Sequence, residues 1–183
     1  MTDLMDDNFY QMMKRSHDLG LLSKGKRADA LFRVWKKLGL RAFDESFVQD
    51  FLSNIEPNVV VWAPSCRTVG LIKNWENNVV IFLSPLLEFM TMPAVEHTIV
   101  HELCHARFKH YDHDKIDIDE CRGKPHEQKP HELDTDALAA KLGFPKSRND
   151  HHLRNLRRMM KAYAAKDMGA RNRRMFIDAL NES

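Results

Sequence analysis

The stretch VEHTIVHELCHARFKHYDHD, residues 95–114, carries five histidines and two glutamates, and its apolar residues recur at helical spacing. At about 100° per residue, Val95, Ile99, Leu103 and Ala106 form one stripe, and His101 and His105 project from the opposite side, about 40° apart. Imidazoles at i and i+4 are neighbours on a helix surface, so both can reach one ion without backbone distortion. The segment 101–105, HELCH, is thus the His-Glu-x-x-His pattern, in which two imidazoles grip zinc and the glutamate polarises a water on the metal. Glu102 lies about 100° around the helix and flanks such a site. Cys104 is expected in the packing. His97, one turn earlier, is expected beside the ligands or at the surface, because a straight helix spreads residues 97 and 105 over about 12 Å.

A catalytic zinc takes a third protein ligand and leaves a fourth position open. The stretch KPHELDTDALAAKLGF, residues 129–144, reads as a second helix that starts after Pro130, is apolar along Leu133, Ala137 and Ala140, and stops at Gly143. Glu132 and Asp136 are i and i+4, so both carboxylates face one way: Glu132 can bind the metal and Asp136 can orient a ligand imidazole from behind. His131 is the rival third ligand. It points about 100° away from Glu132, and Glu132 is favoured because Asp136 supports it from the next turn. Between the two helices, residues 110–131 hold Asp112, His113, Asp114, Asp117, Asp119, Cys121 and His126. They lack calcium-loop spacing and any Cys-x-x-Cys pair, and an exposed polar loop beside the cleft is expected.

The pair of segments, HELCH (101–105) and HELDTDALAAKLG (131–143), resembles the gluzincin metallopeptidases, above all the compact ImmA/IrrE-like group and the catalytic core of HtpX-type peptidases. Their second helix carries Glu-x-x-x-Asp-x-x-Ala, matched here by Glu132, Asp136 and Ala139. Thr135 stands where the HtpX-type pattern has alanine. The resemblance covers residues 78 to 143 or so and implies a zincin-like fold with one Zn2+ per chain, held by His101, His105 and Glu132. It further implies hydrolysis of peptide bonds in a protein target, with Glu102 as general base. SprT-like proteases have a similar first helix but take histidine as third ligand; His110, His113, His126 or His131 would then serve, with a DNA-associated role. Tyr111, His131, His151, His152 and Tyr163 are candidates for an oxyanion donor.

Upstream, Phe9, Met12 and Met13 suggest a short helix, and Leu31, Val34, Trp35 and Leu38 form a stripe that Gly39 is expected to end. A third helix puts Phe43, Phe47, Val48, Phe51 and Leu52 on one face, with Asp44 as N-cap and Pro57 as its end. Three runs rich in β-branched residues follow, NVVVWAP, RTVGLIK and NVVIFLS. Their spacing suggests a small antiparallel meander.

The 183 residues, 43% hydrophobic and 30% charged, suit one α+β domain: N-terminal helices over residues 1–57, a core over 58–145 and a helical tail over 146–183. No apolar run approaches a bilayer span, and the start, MTDLMDDNFYQ, does not read as a signal peptide. Cys66, Cys104 and Cys121 are widely spaced and odd in number, which suits a reducing compartment. A cytoplasmic location without membrane attachment is expected. From Pro145 onward ten Lys/Arg face four Asp/Glu, in two amphipathic helices broken at Gly169, with Leu153, Leu156, Met160 and Tyr163 opposite Arg154, Arg157, Arg158 and Lys161. This is a solvated helix face or a backbone-directed nucleic-acid surface. A metal-stabilised regulatory or nucleic-acid-binding protein without peptidase activity is the alternative to the hydrolase.

Overall fold

A computed structural model describes residues 26–55, 57, 59–62, 68–75, 77–112, 116 and 118–146. The expected helix around Phe9, Met12 and Met13, and the basic tail beyond residue 146, lie outside the described residues. Apolar side chains three and four apart make Lys26–Arg41 a helix, α1, that buries Leu31, Val34 and Leu38. Gly39 does not end it. Glycine here is buried within the last turn and the helix runs on to Arg41, whose guanidinium grips Glu45 at 2.7 Å and also donates to the Leu142 carbonyl. Tertiary contacts outweigh the local cost of glycine, about 1 kcal/mol. The next helix, α2 (Ser46–Ser53), is capped at Glu45 rather than Asp44 and closes at Asn54, ahead of Pro57. Phe43 stays exposed, outside the face formed by Val48, Phe51 and Leu52.

Three strands follow: β1 (Val59–Trp62), β2 (Gly70–Trp75) and β3 (Asn78–Leu83). Their order is β1-β3-β2, with β1 parallel to β3 and β2 antiparallel to it. The sheet is therefore mixed, and the expected antiparallel meander is corrected. A meander would set β2 between its neighbours, but β3 has the longest apolar run, Val79 to Leu83, and takes the centre, where both its edges are paired. The β2–β3 hairpin turns through Asn77, whose φ of 63° suits asparagine in the left-handed region. Trp75 pairs with Asn78 beside this turn.

A 3-10 turn, Pro85–Phe89, leads into α3 (Met92–Arg107), which has proline in its first turn. This helix is the centre of the molecule: α1, the later helix over residues 130–141, β2 and β3 all pack on it. It is buried almost all round, from Ala94 to Ala106, so the ligand-bearing face that the sequence leaves polar is covered too. Burial of Val95, Ile99 and Leu103 stabilises by about 1.5–3 kcal/mol each. Residues 118–121 form a short helix, α4 (Ile118–Cys121), and a 3-10 turn spans His126–Gln128.

The cover over α3 is α5 (Pro130–Lys141). Its apolar residues do not set its inner face. Leu133 is 53% exposed, and Ala137 and Ala140 are exposed as well; Glu132, Thr135 and Ala139 point inward. The acids turn toward the histidines of α3 because those are their complement. Gly143, at φ 91°, ends the helix as expected: its N–H donates to the Ala140 carbonyl at 3.0 Å and that of Phe144 to Ala139 at 2.9 Å, the wrapping turn that a left-handed residue permits. One apolar cluster runs from Ala30 through the sheet and α3 to Phe144. The architecture is α+β, and no helix among the described residues is long and apolar enough to cross a membrane.

Candidate metal centre

Two helices supply the centre, and each does so from adjacent turns. On α3, His101 and His105 bring their Nε2 atoms to 2.9 Å. From α5, Glu132 Oε2 stands 3.1 Å from His101 Nε2 and 3.4 Å from His105 Nε2. Ligand atoms about 2.0–2.1 Å from one tetrahedral zinc lie about 3.3 Å apart, so this triangle has the dimensions of three tetrahedral vertices. The donor set, two imidazoles and a carboxylate, suits zinc.

The far nitrogens are held by partners that set the tautomer. His101 Nδ1–H donates to Asp136 Oδ1 at 2.8 Å, leaving the Nε2 lone pair for the triangle. His105 Nδ1 faces His110 Nδ1 at 2.8 Å and Thr135 Oγ1 at 3.4 Å. The Thr135 hydroxyl donates to the His131 carbonyl at 2.5 Å, so its oxygen is left to accept from His105. Thr135 is fully buried and supports the second imidazole.

Electrostatics follow from this packing. For His101 burial acts to lower the pKa, but the hydrogen bonds to Asp136 and Glu132 outweigh it and raise the value to about 9. Glu132 and Asp136 are both held well below the usual carboxylate range: burial opposes this, and the contacts to His101, joined by His105 for Glu132 and by His97 and Lys146 for Asp136, prevail. His110 falls to about 4 through burial and the neighbouring His105 and His131. It can therefore accept from His105 at neutral pH.

Glu102 is 6% exposed, lies in the wall of a cavity of about 530 Å³ shared with the triangle, and has its pKa pushed up to about 7 by burial, against the pull of His101. Its carboxylate makes no hydrogen bond among the described residues. Its carboxylate lies against β2 at Gly70, where a Cβ would overlap Oε1 and come within 2.9 Å of the carboxyl carbon. Nothing local in the sequence signals that glycine, because the contact joins residues 32 apart in the chain.

His131 is not in the triangle. Its Nε2 faces the other carboxylate oxygen, Glu132 Oε1, at 3.2 Å, and its Nδ1 faces Cys121 Sγ at 3.3 Å. His110 sits behind His105, and His126 is exposed, 3.5 Å from Glu132 Oε1. Tyr111 packs against the core; His113, His151, His152 and Tyr163 lie outside the described residues. Cys104 is fully buried, with its thiol pKa driven up by burial. His97 is buried beside Asp136. No protein-family model, no curated protein and no solved structure matches the chain.

Proposed function

We propose that this chain is a zinc-dependent peptidase with a zincin-like fold, acting on peptide bonds of a protein target. The observation that carries this reading is the buried Glu102 carboxylate, without a hydrogen-bond partner among the described residues, in one cavity with His101, His105 and Glu132. A purely structural zinc is closed by its ligands and has no use for a nearby base. An unpaired buried carboxylate costs stability, and catalysis is the use that explains it.

His101, His105 and Glu132 would hold a zinc ion, which when bound would supply a Lewis acid for a peptide carbonyl and for a water. Glu102, with a pKa near 7, takes up the water's proton and delivers it to the leaving amine; a base poised near the working pH does this best. Asp136 keeps the His101 lone pair directed inward, and Thr135 with His110 does the same for His105. The edge strand β2, which contributes Gly70, Leu71 and Ile72 to the cavity, offers backbone groups to an extended peptide. The free thiols of Cys104 and Cys121 suit work in a reducing compartment such as a cytoplasm.

The test compares wild type with Glu102→Gln and Glu132→Ala in zinc content and in hydrolysis of an unfolded protein such as casein. Glu102→Gln should keep one zinc per chain and lose about 10²–10⁴-fold in rate; Glu132→Ala should lose the metal. Hydrolysis by Glu102→Gln at the wild-type rate would remove the peptidase reading.

A further inference from the structure

We propose that Ile72, Met90 and Thr98 form the side-chain subsite that selects the substrate, and that it takes a large apolar residue beside the bond to be cut. The inference deepens the peptidase reading above and rests on it. It begins with the backbone of β2. Ser84 N–H donates to the Val69 carbonyl at 3.0 Å, so Val69 and, by the alternation of an antiparallel ladder, Leu71 and Lys73 turn their backbone groups toward β3. Gly70 and Ile72 turn theirs the other way. The Gly70 carbonyl accepts from Thr68 Oγ1 at 2.8 Å, whereas the N–H and C=O of Ile72 have no partner among the described residues. A peptide residue that pairs with both has its own side chain on the Ile72 face of the sheet. Gly70 shares that face and lies against Glu102 of α3, so the side chain is directed into the cavity. The side chains on either side of it go to the outer face, with Leu71 and Lys73.

From the Gly70–Glu102 contact, two residues along β2 is about 6.8 Å and one turn back along α3 about 6 Å. These matching steps lead to Ile72 and Thr98, which line the same cavity, and Met90 lines it with them. All three are buried, so they form a floor rather than a rim. The Thr98 hydroxyl is engaged by the Ala94 carbonyl at 3.0 Å. Met90 is held through its backbone: its N–H donates to the Leu87 carbonyl at 3.2 Å, and its carbonyl accepts from Lys26 Nζ at 2.8 Å. This floor therefore offers no unpaired polar side chain, and an apolar guest gains by leaving water for it. An acidic guest is the rival, since Lys146 also lines the cavity. Its ammonium is already bonded to Asp136 Oδ2 at 3.0 Å, and an acidic side chain would have to compete for it.

The experiment digests casein with the zinc-loaded full chain, reads the cut positions by mass spectrometry, and then compares two peptides that differ only in leucine or alanine at the selected position. Wild type should cut with Leu, Met or Phe at one fixed place beside the cut, and should favour the leucine peptide in kcat/KM by about 10–200-fold. Thr98→Phe fills the floor and should bring that ratio down to about one. The ratio is the readout because a loss of folded or zinc-bound protein lowers both rates alike and leaves it unchanged. Should Thr98→Phe not fold by circular dichroism, Thr98→Leu carries the same expectation. Cuts without a fixed preference, a preference for acidic residues, or a ratio that the folded variant leaves at the wild-type value would each overturn the subsite while the peptidase reading stands. If wild type with one zinc per chain cuts nothing, the peptidase reading and the proposal fall together.

Discussion

Glu102 is placed by a residue that has no side chain. Gly70 on β2 leaves the room its carboxylate occupies, and a Cβ there would overlap Oε1. Gly70→Ala is expected to displace the carboxylate while the three ligands stay put: zinc content unchanged, peptide hydrolysis down about 10²-fold. Parallel metal analysis and rate measurement check this, and full activity would mean that Glu102 works from another position. His101 has a pH signature. With its pKa raised from 6.5 to about 9, it carries a proton in the metal-free chain at neutral pH, and zinc must displace that proton. Apparent zinc affinity should climb between pH 6.5 and about 9, by up to about tenfold per unit, and then level off. Asp136→Asn removes the largest raising contribution and should move the plateau to lower pH. Chelator competition across this range measures it; a flat profile would mean that His101 is already unprotonated.

The α3–α5 pair sets the centre, and the turn after α5 locks it. Gly143 stands at φ 91°, and a Cβ there would overlap the Arg41 guanidinium, which reaches across from α1 to the Leu142 carbonyl. Gly143→Ala should destabilise the fold by about 1–3 kcal/mol, read from urea unfolding of the metal-free chain. A change near zero would show that the turn relaxes without cost. The i, i+4 spacing of Glu132 and Asp136 was legible from the sequence and is kept in the helix. Which way α5 rolls was not: its leucine at 133 faces solvent, because its inner side meets imidazoles of α3 rather than an apolar groove.

Across the whole molecule, the proposed metal and the fold are expected to stabilise each other. A ligand that binds the folded chain alone raises its melting temperature by mass action, so chelation should lower Tm. The drop should be larger at pH 9 than at pH 6.5. His101, with a raised pKa, contributes stability to the metal-free fold that is fully present below 6.5 and lost as pH rises through about 9. At the lower pH its proton still links Asp136 and Glu132, and at the higher pH only the metal can. Melts with and without chelator at the two pH values test this, and an equal drop at both would show that the proton does not substitute for zinc.

The chain alone determined what depends on near neighbours: the helix that carries His101 and His105 at one spacing, the acid pair of the second helix, the three strands and the stop at Gly143. These follow from periodicities of about 3.6 and 2 residues. Only the tertiary structure decided the placing of β3 at the centre of a mixed sheet, the choice of Glu132 over His131 for the triangle and the seat of Glu102 on Gly70. Each depends on how separate elements share one core, where complementary burial and hydrogen bonding outweigh local preference.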